Sequence, residues 1–206
     1  GKVVDRATNY NFGDTFYITP KHTVIYSGNN YIASNLLVRL PGVFVRHTNT
    51  GDLEAEFNTG KGQSFSIVLY PKEQLFKINV DGSEVPAAVV LSTVFGVSQA
   101  TMNRYVPQDV WEKNLQAIQG KEAKYINTLY NKFVSKFSQN PKDSLETKIT
   151  KLRESLLKGE LSKITTKITM GVEKEHMDPE IFLLALKNLV LVYRGDKEED
   201  NRDSLQ

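Results

Sequence analysis

Residues 64–80 read SFSIVLYPKEQLFKINV and carry the clearest structural signal in the chain. Phe65, Ile67 and Leu69 alternate with Ser64, Ser66 and Val68, an alternation typical of a half-buried strand. Pro71-Lys72-Glu73 then forms a turn, and the run from Leu75 to Val80 predicts a returning strand. Because this connection is too short to hold a crossover helix, we expect the two strands to be antiparallel.

The same pattern of short apolar runs and turn residues extends towards the N-terminus. β-Branched and aromatic residues are frequent there, and Gly, Asn and Asp interrupt them. We therefore predict an antiparallel meander. Its further predicted strands are Thr23–Tyr26, Tyr31–Arg39, Val43–Arg46 and Leu53–Phe57.

Helical periodicity replaces this alternation after Glu84. The apolar run from Pro86 to Phe95 predicts a helix that begins at the proline and ends before Gly96. Two later segments carry apolar residues at steps of three or four, and Asp143 or Ser144 can cap the second of them. The stripes are Ala123, Ile126, Leu129, Tyr130, Phe133 and Phe137, then Leu145, Ile149, Leu152, Leu156 and Leu157.

A final helix is predicted by Asp178-Pro179-Glu180, which combines a capping Asp, a Pro at the first helical position and an acid in the first turn. The residues from Ile181 to Tyr193 are apolar on nearly all sides, so we expect a central, buried helix that Gly195 ends. The charged last ten residues are expected to be frayed. The predicted fold is α+β, with an antiparallel β-rich first half, a helical second half and a boundary near residues 96–112.

Composition narrows the possible functions. The 206 residues include no Cys, which excludes disulfide scaffolds, thiol nucleophiles and cysteine metal sites. His22, His47 and His176 are too scattered for a histidine metal face, so we expect no metal site. The sequence shows neither an apolar run of about 18 residues nor a signal peptide, so we expect a soluble, cytoplasmic protein without a membrane partner.

The net charge of +2 argues against a strongly basic, free-standing nucleic-acid binder, but it hides an asymmetry. Residues 113–167 contain 12 Lys and Arg against 5 Asp and Glu, whereas residues 173–203 contain 5 against 9. The basic middle includes Lys148, Lys151 and Arg153. It is either an ordinary solvated helix surface or a surface for the phosphate backbone, whose binding would depend on salt.

No catalytic residues are predicted. Gly60-Lys61-Gly62-Gln63-Ser64 lacks the spacing of a phosphate-binding loop and precedes a strand, so it is interpreted as a hairpin turn. The pair Asp178 and Glu180 is explained by helix capping, and Glu173 with Glu175 by a solvated charge run.

Three stretches of the sequence, in chain order, carry further motifs. In Gly13–Phe44, two predicted strands with an intervening turn precede Arg39-Leu40-Pro41-Gly42-Val43. Pro, Phe and Val residues recur in Gly62–Leu91, and an acidic motif, Asp200-Asn201-Arg202-Asp203-Ser204, follows an apolar helix. In their order and spacing, the three stretches resemble the β subunit of multisubunit DNA-directed RNA polymerases.

The departures from the family pattern resemble the split polymerases of jumbo bacteriophages, which would place the protein in the bacterial host cytoplasm. Leu40 replaces a Ser of the family motif, Ser204 replaces a His, and an acidic segment, residues 81–84, replaces a basic run. Residues 101–177 match only by position. The resemblance implies a protrusion-like part in residues 1–100, a reduced lobe-like part in 101–177, and a helix and tail, 178–206, that return to the protrusion.

The resemblance also implies a role. The chain would form one wall of the cleft that holds DNA and the RNA–DNA hybrid, and would dock the remaining β portion and β′-like subunits. It would carry no chemistry itself, since the family's catalytic aspartates lie elsewhere; Mg²⁺ is expected only in the assembled polymerase. The candidate nucleic-acid contacts are Arg39, Arg46, Lys61, Lys148, Lys151 and Arg153, and the candidate subunit junction is Asp200, Arg202 and Asp203.

Three further alternatives stay open. Arg39 could instead form a salt bridge at a strand edge, and Arg202 and Asp203 could belong to a frayed tail. The whole chain could be a free-standing interaction module with a lobe-like fold that binds another transcription factor or subunit.

Overall fold

The computed structural model describes residues 17–32, 39–134, 138–140 and 142–200. The chain divides between Val38 and Arg39 into two compact units. In the first unit, strands β1 (Thr23–Tyr26) and β2 (Asn29–Ile32) form an antiparallel hairpin. The first strand has its predicted bounds, whereas the second begins two residues before the predicted Tyr31, and residues 33–38 of that prediction lie outside the described residues. The Ser27-Gly28 turn has positive φ at both residues. Large apolar side chains of this hairpin remain exposed, including Tyr31 and Ile32.

The second unit contains a five-stranded antiparallel sheet. It confirms the predicted meander for four strands, whereas the fifth strand, Ser83–Pro86, was not predicted and the hairpin forms a separate two-stranded sheet. Strands follow one another in chain order, each paired with the next. Alternate residues point to the helices: Leu53, Ala55 and Phe57 are buried between more exposed polar neighbours. The strands are β3 (Gly42–His47), β4 (Leu53–Asn58), β5 (Phe65–Tyr70), β6 (Leu75–Val80) and β7 (Ser83–Pro86).

Helices follow the sheet, so the α+β prediction is confirmed. A short π-helix, Val89–Val94, comes first. The α-helices are α1 (Gln99–Met102), α2 (Gln108–Ile118), α3 (Glu122–Phe133), α4 (Leu145–Leu157), α5 (Lys163–Met170) and α6 (Pro179–Arg194).

The predicted helix boundaries are confirmed at three caps and wrong at one. Ser144 caps α4 by accepting from Thr147 N–H, Asp178 caps α6 by accepting from Ile181 N–H, and Gly195 ends α6 with a φ of 79°. Pro86, by contrast, belongs to a strand rather than beginning a helix, because it pairs with Lys77 of β6. The prediction from Phe137 lies outside the described residues.

An aromatic cluster fixes α6 over the sheet. The Phe182 ring lies 5.1 Å from that of Phe57 and 5.8 Å from that of Phe65, and Phe133 of α3 packs edge-on against Phe65 at 5.2 Å. Seven residues of α6 are buried, which confirms its predicted central position. Burying such side chains is the main favourable term of folding, at about 1.5–3 kcal/mol each.

The predicted divisions at residues 100 and 178 both fall inside the second unit. Helices from both sides of those positions join one core, which includes Trp111, Ile126 and Phe182. In the described part of the chain, no helix has the length and apolar character needed to cross a bilayer.

Candidate nucleic-acid and subunit interface

Arg39 and Arg46 converge on one carboxylate, Glu56 of β4. Arg39 Nη2 lies 2.5 Å from Glu56 Oε1, Arg46 binds Glu56 Oε2, and the guanidinium of Arg39 stacks 4.5 Å from the centre of the Phe44 ring. Burial acts to raise the pKa of Glu56, but hydrogen bonds from both arginines outweigh it and leave the pKa below its ordinary value. Arg39 therefore forms the salt bridge that was the alternative to a nucleic-acid contact. The guanidinium groups of Arg39 and Arg46 both face the Glu56 carboxylate.

Lys61 and Lys151 also have carboxylate partners. Lys61, in the β4–β5 turn, lies 2.7 Å from Glu160, and hydrogen bonding to that carboxylate raises the pKa of the lysine. Lys151 of α4 lies 2.6 Å from Asp143, and this hydrogen bond raises the pKa of the lysine and lowers that of the acid. The Gly60-Lys61-Gly62 segment is the predicted hairpin turn.

Lys148 and Arg153, also on α4, bind neutral groups instead. Lys148 Nζ donates to Asn127 Oδ1 at 2.8 Å, and Arg153 Nε donates to the carbonyl of Val94 at 2.7 Å. These hydrogen-bond partners carry no formal charge. Of the six predicted nucleic-acid contacts, Lys148 and Arg153 are therefore the two that form no ion pair with a described carboxylate.

A cleft beside Lys61 contains two further lysines. Its volume is about 820 Å³, and it lies between the β4–β5 turn and the C-terminal ends of α3 and α4. Lys132 Nζ donates to the carbonyl of Asp81 at 3.3 Å, and Lys158 has no carboxylate partner among the described residues. Both lysines belong to the basic middle of the sequence, but they were not among the predicted nucleic-acid contacts. Their common cleft depends on tertiary packing, which the sequence does not show.

The predicted junction residue Asp200 binds strand β3. Asp200 N–H donates to the carbonyl of Val45, Val45 N–H donates to Asp200 Oδ2, and both distances are 2.8 Å. His47 N–H donates to Glu199 Oε2 at 2.8 Å. The expectation of a frayed C-terminus is wrong for Glu199 and Asp200, because these bonds hold them at the sheet edge; Arg202 and Asp203 lie outside the described residues.

Helix α5 turns two of its three apolar residues outward, whereas Met170 is buried. Ile164 and Ile168 are 58% and 59% exposed, whereas Thr165, Thr166 and Thr169 are buried. The buried hydroxyls are satisfied locally: Thr166 Oγ1 bonds to the carbonyl of Ser162, and Thr169 Oγ1 donates to that of Thr165. Ile164 and Ile168 are four residues apart, so they form an adjacent exposed apolar pair, which is a candidate contact surface for a partner.

In the described residues, no group of three or more His, Asp or Glu side chains could hold a metal ion. No family model matches the chain, and no curated protein matches it either.

Proposed function

We propose that the chain is a non-catalytic portion of a DNA-directed RNA polymerase β subunit. It forms one wall of the cleft that holds DNA and the RNA–DNA hybrid, and it docks the remaining β portion and β′-like subunits. No step of this role requires Mg²⁺ to bind this chain.

The main support for the proposal is the hydrogen bonding between Val45 and Asp200, which are 155 residues apart in sequence. Val45 directly follows the Arg39–Phe44 segment that resembles the family, and Asp200 begins the third such segment. The resemblance implies that the tail returns to the protrusion-like part, and the contact between Val45 and Asp200 supports that placement.

The charge arrangement supports a scaffold whose contacts with nucleic acid are few. Four of the six predicted cations face carboxylates, whereas Lys148 and Arg153 face neutral groups. Contacts of this kind position the phosphate backbone without reading sequence. Affinity would therefore come from the assembly rather than from the isolated chain.

Co-expression tests the proposal. The tagged chain is produced with a β′-like chain and a β portion that resumes after the Asp203 motif. We expect a stoichiometric complex that synthesises RNA on a DNA template, and no synthesis by the tagged chain alone. Robust synthesis by the isolated chain, or failure to assemble with either polymerase chain, would contradict the proposal.

Ile164 and Ile168 favour a second candidate, a free-standing interaction module that binds another transcription factor or subunit through α5. The same experiment separates the two. A module of this kind binds an intact polymerase that already contains a full β subunit, whereas a β portion is required to complete one.

A further inference from the structure

We infer that Glu199 and Asp200 form a clasp that holds the segment after α6 along the edge strand β3 and shields that edge from pairing with another chain. The inference depends on this chain alone and not on the proposed function.

The clasp supplies hydrogen-bond partners that a neighbouring strand would otherwise provide to β3. Strand β3 lies at the edge of the sheet, so the backbone groups of Val45 and His47 that face away from β4 have no strand partner among the described residues. Asp200 supplies both a backbone donor and a carboxylate acceptor to Val45, each at 2.8 Å. Glu199 supplies a carboxylate acceptor to His47 N–H at 2.8 Å. The carboxylates thus replace the carbonyls of a missing sixth strand, which also protects an edge that could pair with other chains.

The segment between α6 and this edge, residues 195–200, is hydrogen-bonded at both ends. Gly195 turns the chain at the end of α6, where Asp196 N–H donates to the carbonyl of Leu191 at 2.9 Å. Lys197 Nζ then donates to the carbonyl of Thr169 at 2.8 Å and lies 3.8 Å from Asp200 Oδ1. A segment fixed at both ends, with few residues between, has little freedom of direction.

The chain also enters the unit at this strand. Ser162 N–H donates to the carbonyl of Pro41 at 3.0 Å, and Asn58 Nδ2 donates to the carbonyl of Leu40 at 3.3 Å. The segment before β3 is therefore held by α5 and β4, and the segment after α6 by β3. The described segments on either side of the unit's core therefore both lie beside β3.

Distance measurement by double electron–electron resonance tests the clasp on the full chain. The protein has no Cys, so Lys72→Cys and Glu198→Cys introduce the only two labelling sites. Both side chains are exposed, Lys72 in the β5–β6 turn and Glu198 beside the clasp. We expect a narrow distance distribution that E199A/D200A broadens at least twofold, while the matched control D196A, an exposed acid before the clasp, leaves it unchanged.

Hydrogen exchange separates the clasp from a general loss of stability. We expect exchange of the Val45 and His47 amides to accelerate at least tenfold in E199A/D200A, with the core amides of Ile67 and Ile78 unchanged. Unchanged distances and unchanged exchange at Val45 and His47 would overturn the inference. Should the double variant unfold, E199A alone keeps the Asp200 bonds, and unchanged exchange of His47 in it would also overturn the inference. Because the chain is tested alone, a positive result stands even where assembly with polymerase chains fails.

Discussion

Gly42 and Thr165 lie so close that a side chain on the glycine has no room. A Cβ atom on Gly42 would lie 2.2 Å from Thr165 Cγ2 and 3.0 Å from Thr165 Cβ. Gly42 begins β3 and Thr165 lies on the buried side of α5, so this contact sets how near the helix approaches the sheet edge. The glycine of the Pro41-Gly42 pair is required here by packing rather than by an unusual φ.

Substitution of Gly42 by Ala should therefore destabilise the protein by about 1–3 kcal/mol, the usual cost of overpacking. The double variant G42A/T165S removes the clashing methyl group and should recover part of that loss. Urea unfolding of G42A, T165S and the double variant gives the coupling energy between the two sites. Strict additivity would show that the contact does not limit the approach of α5.

Asn114 should be one of the most sensitive polar positions. It is fully buried on α2, accepts from Phe76 N–H at 2.9 Å and donates to the carbonyl of Gln74 at 2.9 Å. Asn114→Ala leaves these two backbone groups unpaired, and we expect a loss of about 2–4 kcal/mol in the free energy of unfolding. The exposed Asn131→Ala is the control, with a change below about 0.5 kcal/mol. Equal effects of the two variants would contradict this account.

Acid should weaken the Glu56 cluster. The pKa of Glu56 is lowered in the folded protein, so its stabilising contribution is complete above the ordinary pKa of 4.5 and is lost as the pH falls through the lowered value. Glu56→Gln should flatten the pH dependence of stability below pH 4.5 and cost about 1–3 kcal/mol at pH 7, since Arg39 and Arg46 lose their common partner.

Glu54→Gln is the matched control for that experiment. Glu54 lies on the same strand, but its distance to Arg46 Nη2 is 3.8 Å, so its removal should have a smaller effect at both pH values. Urea unfolding at pH 7 and pH 4 provides the comparison. A larger loss in Glu54→Gln than in Glu56→Gln would show that the cluster is organised differently.

The outward isoleucines of α5 should matter for association and not for folding. I164S/I168S should change the free energy of unfolding by less than about 1 kcal/mol, because both side chains are mostly exposed. Leu152→Ala, at a fully buried position, should cost about 2–5 kcal/mol. In the co-expression experiment we expect I164S/I168S to reduce recovery of the complex at unchanged thermal stability. Full recovery would mean that α5 is not a docking surface.

The cations without carboxylate partners should govern contact with nucleic acid. In the assembled enzyme, Lys158→Gln should weaken DNA binding and lower the slope of log affinity against log salt by about 1. Lys61→Gln should have little effect, because Glu160 already compensates that charge at 2.7 Å. Filter binding at several salt concentrations gives both slopes. An equal effect of the two variants would contradict the distinction.

Local sequence is sufficient to predict four strands of the sheet and helices α3, α4 and α6, whereas β7, α1, α2 and α5 were not predicted from it. Alternation in residues 53–57 and 65–80, together with turns too short for crossover helices, was enough for an antiparallel meander, because strand period and loop length act over a few residues. Ser144, Asp178 and Gly195 likewise act on the nearest backbone groups, and their capping roles could be predicted. The prediction that Pro86 begins a helix is wrong, because Pro86 pairs with Lys77 on the preceding strand and therefore ends β7.

Which cations form ion pairs, and which distant segments contact each other, depends on the tertiary structure. A run of lysines does not show that Lys151 faces Asp143 while Lys148 faces Asn127, because those partners are brought together by the packing of α4. The bonds between Asp200 and Val45 join residues 155 positions apart. Most strands, the helices α3, α4 and α6 and the helix caps depend on neighbouring residues, so the sequence predicts them. Ion pairing and the clasp depend on distances between residues far apart in sequence, which only the folded chain sets.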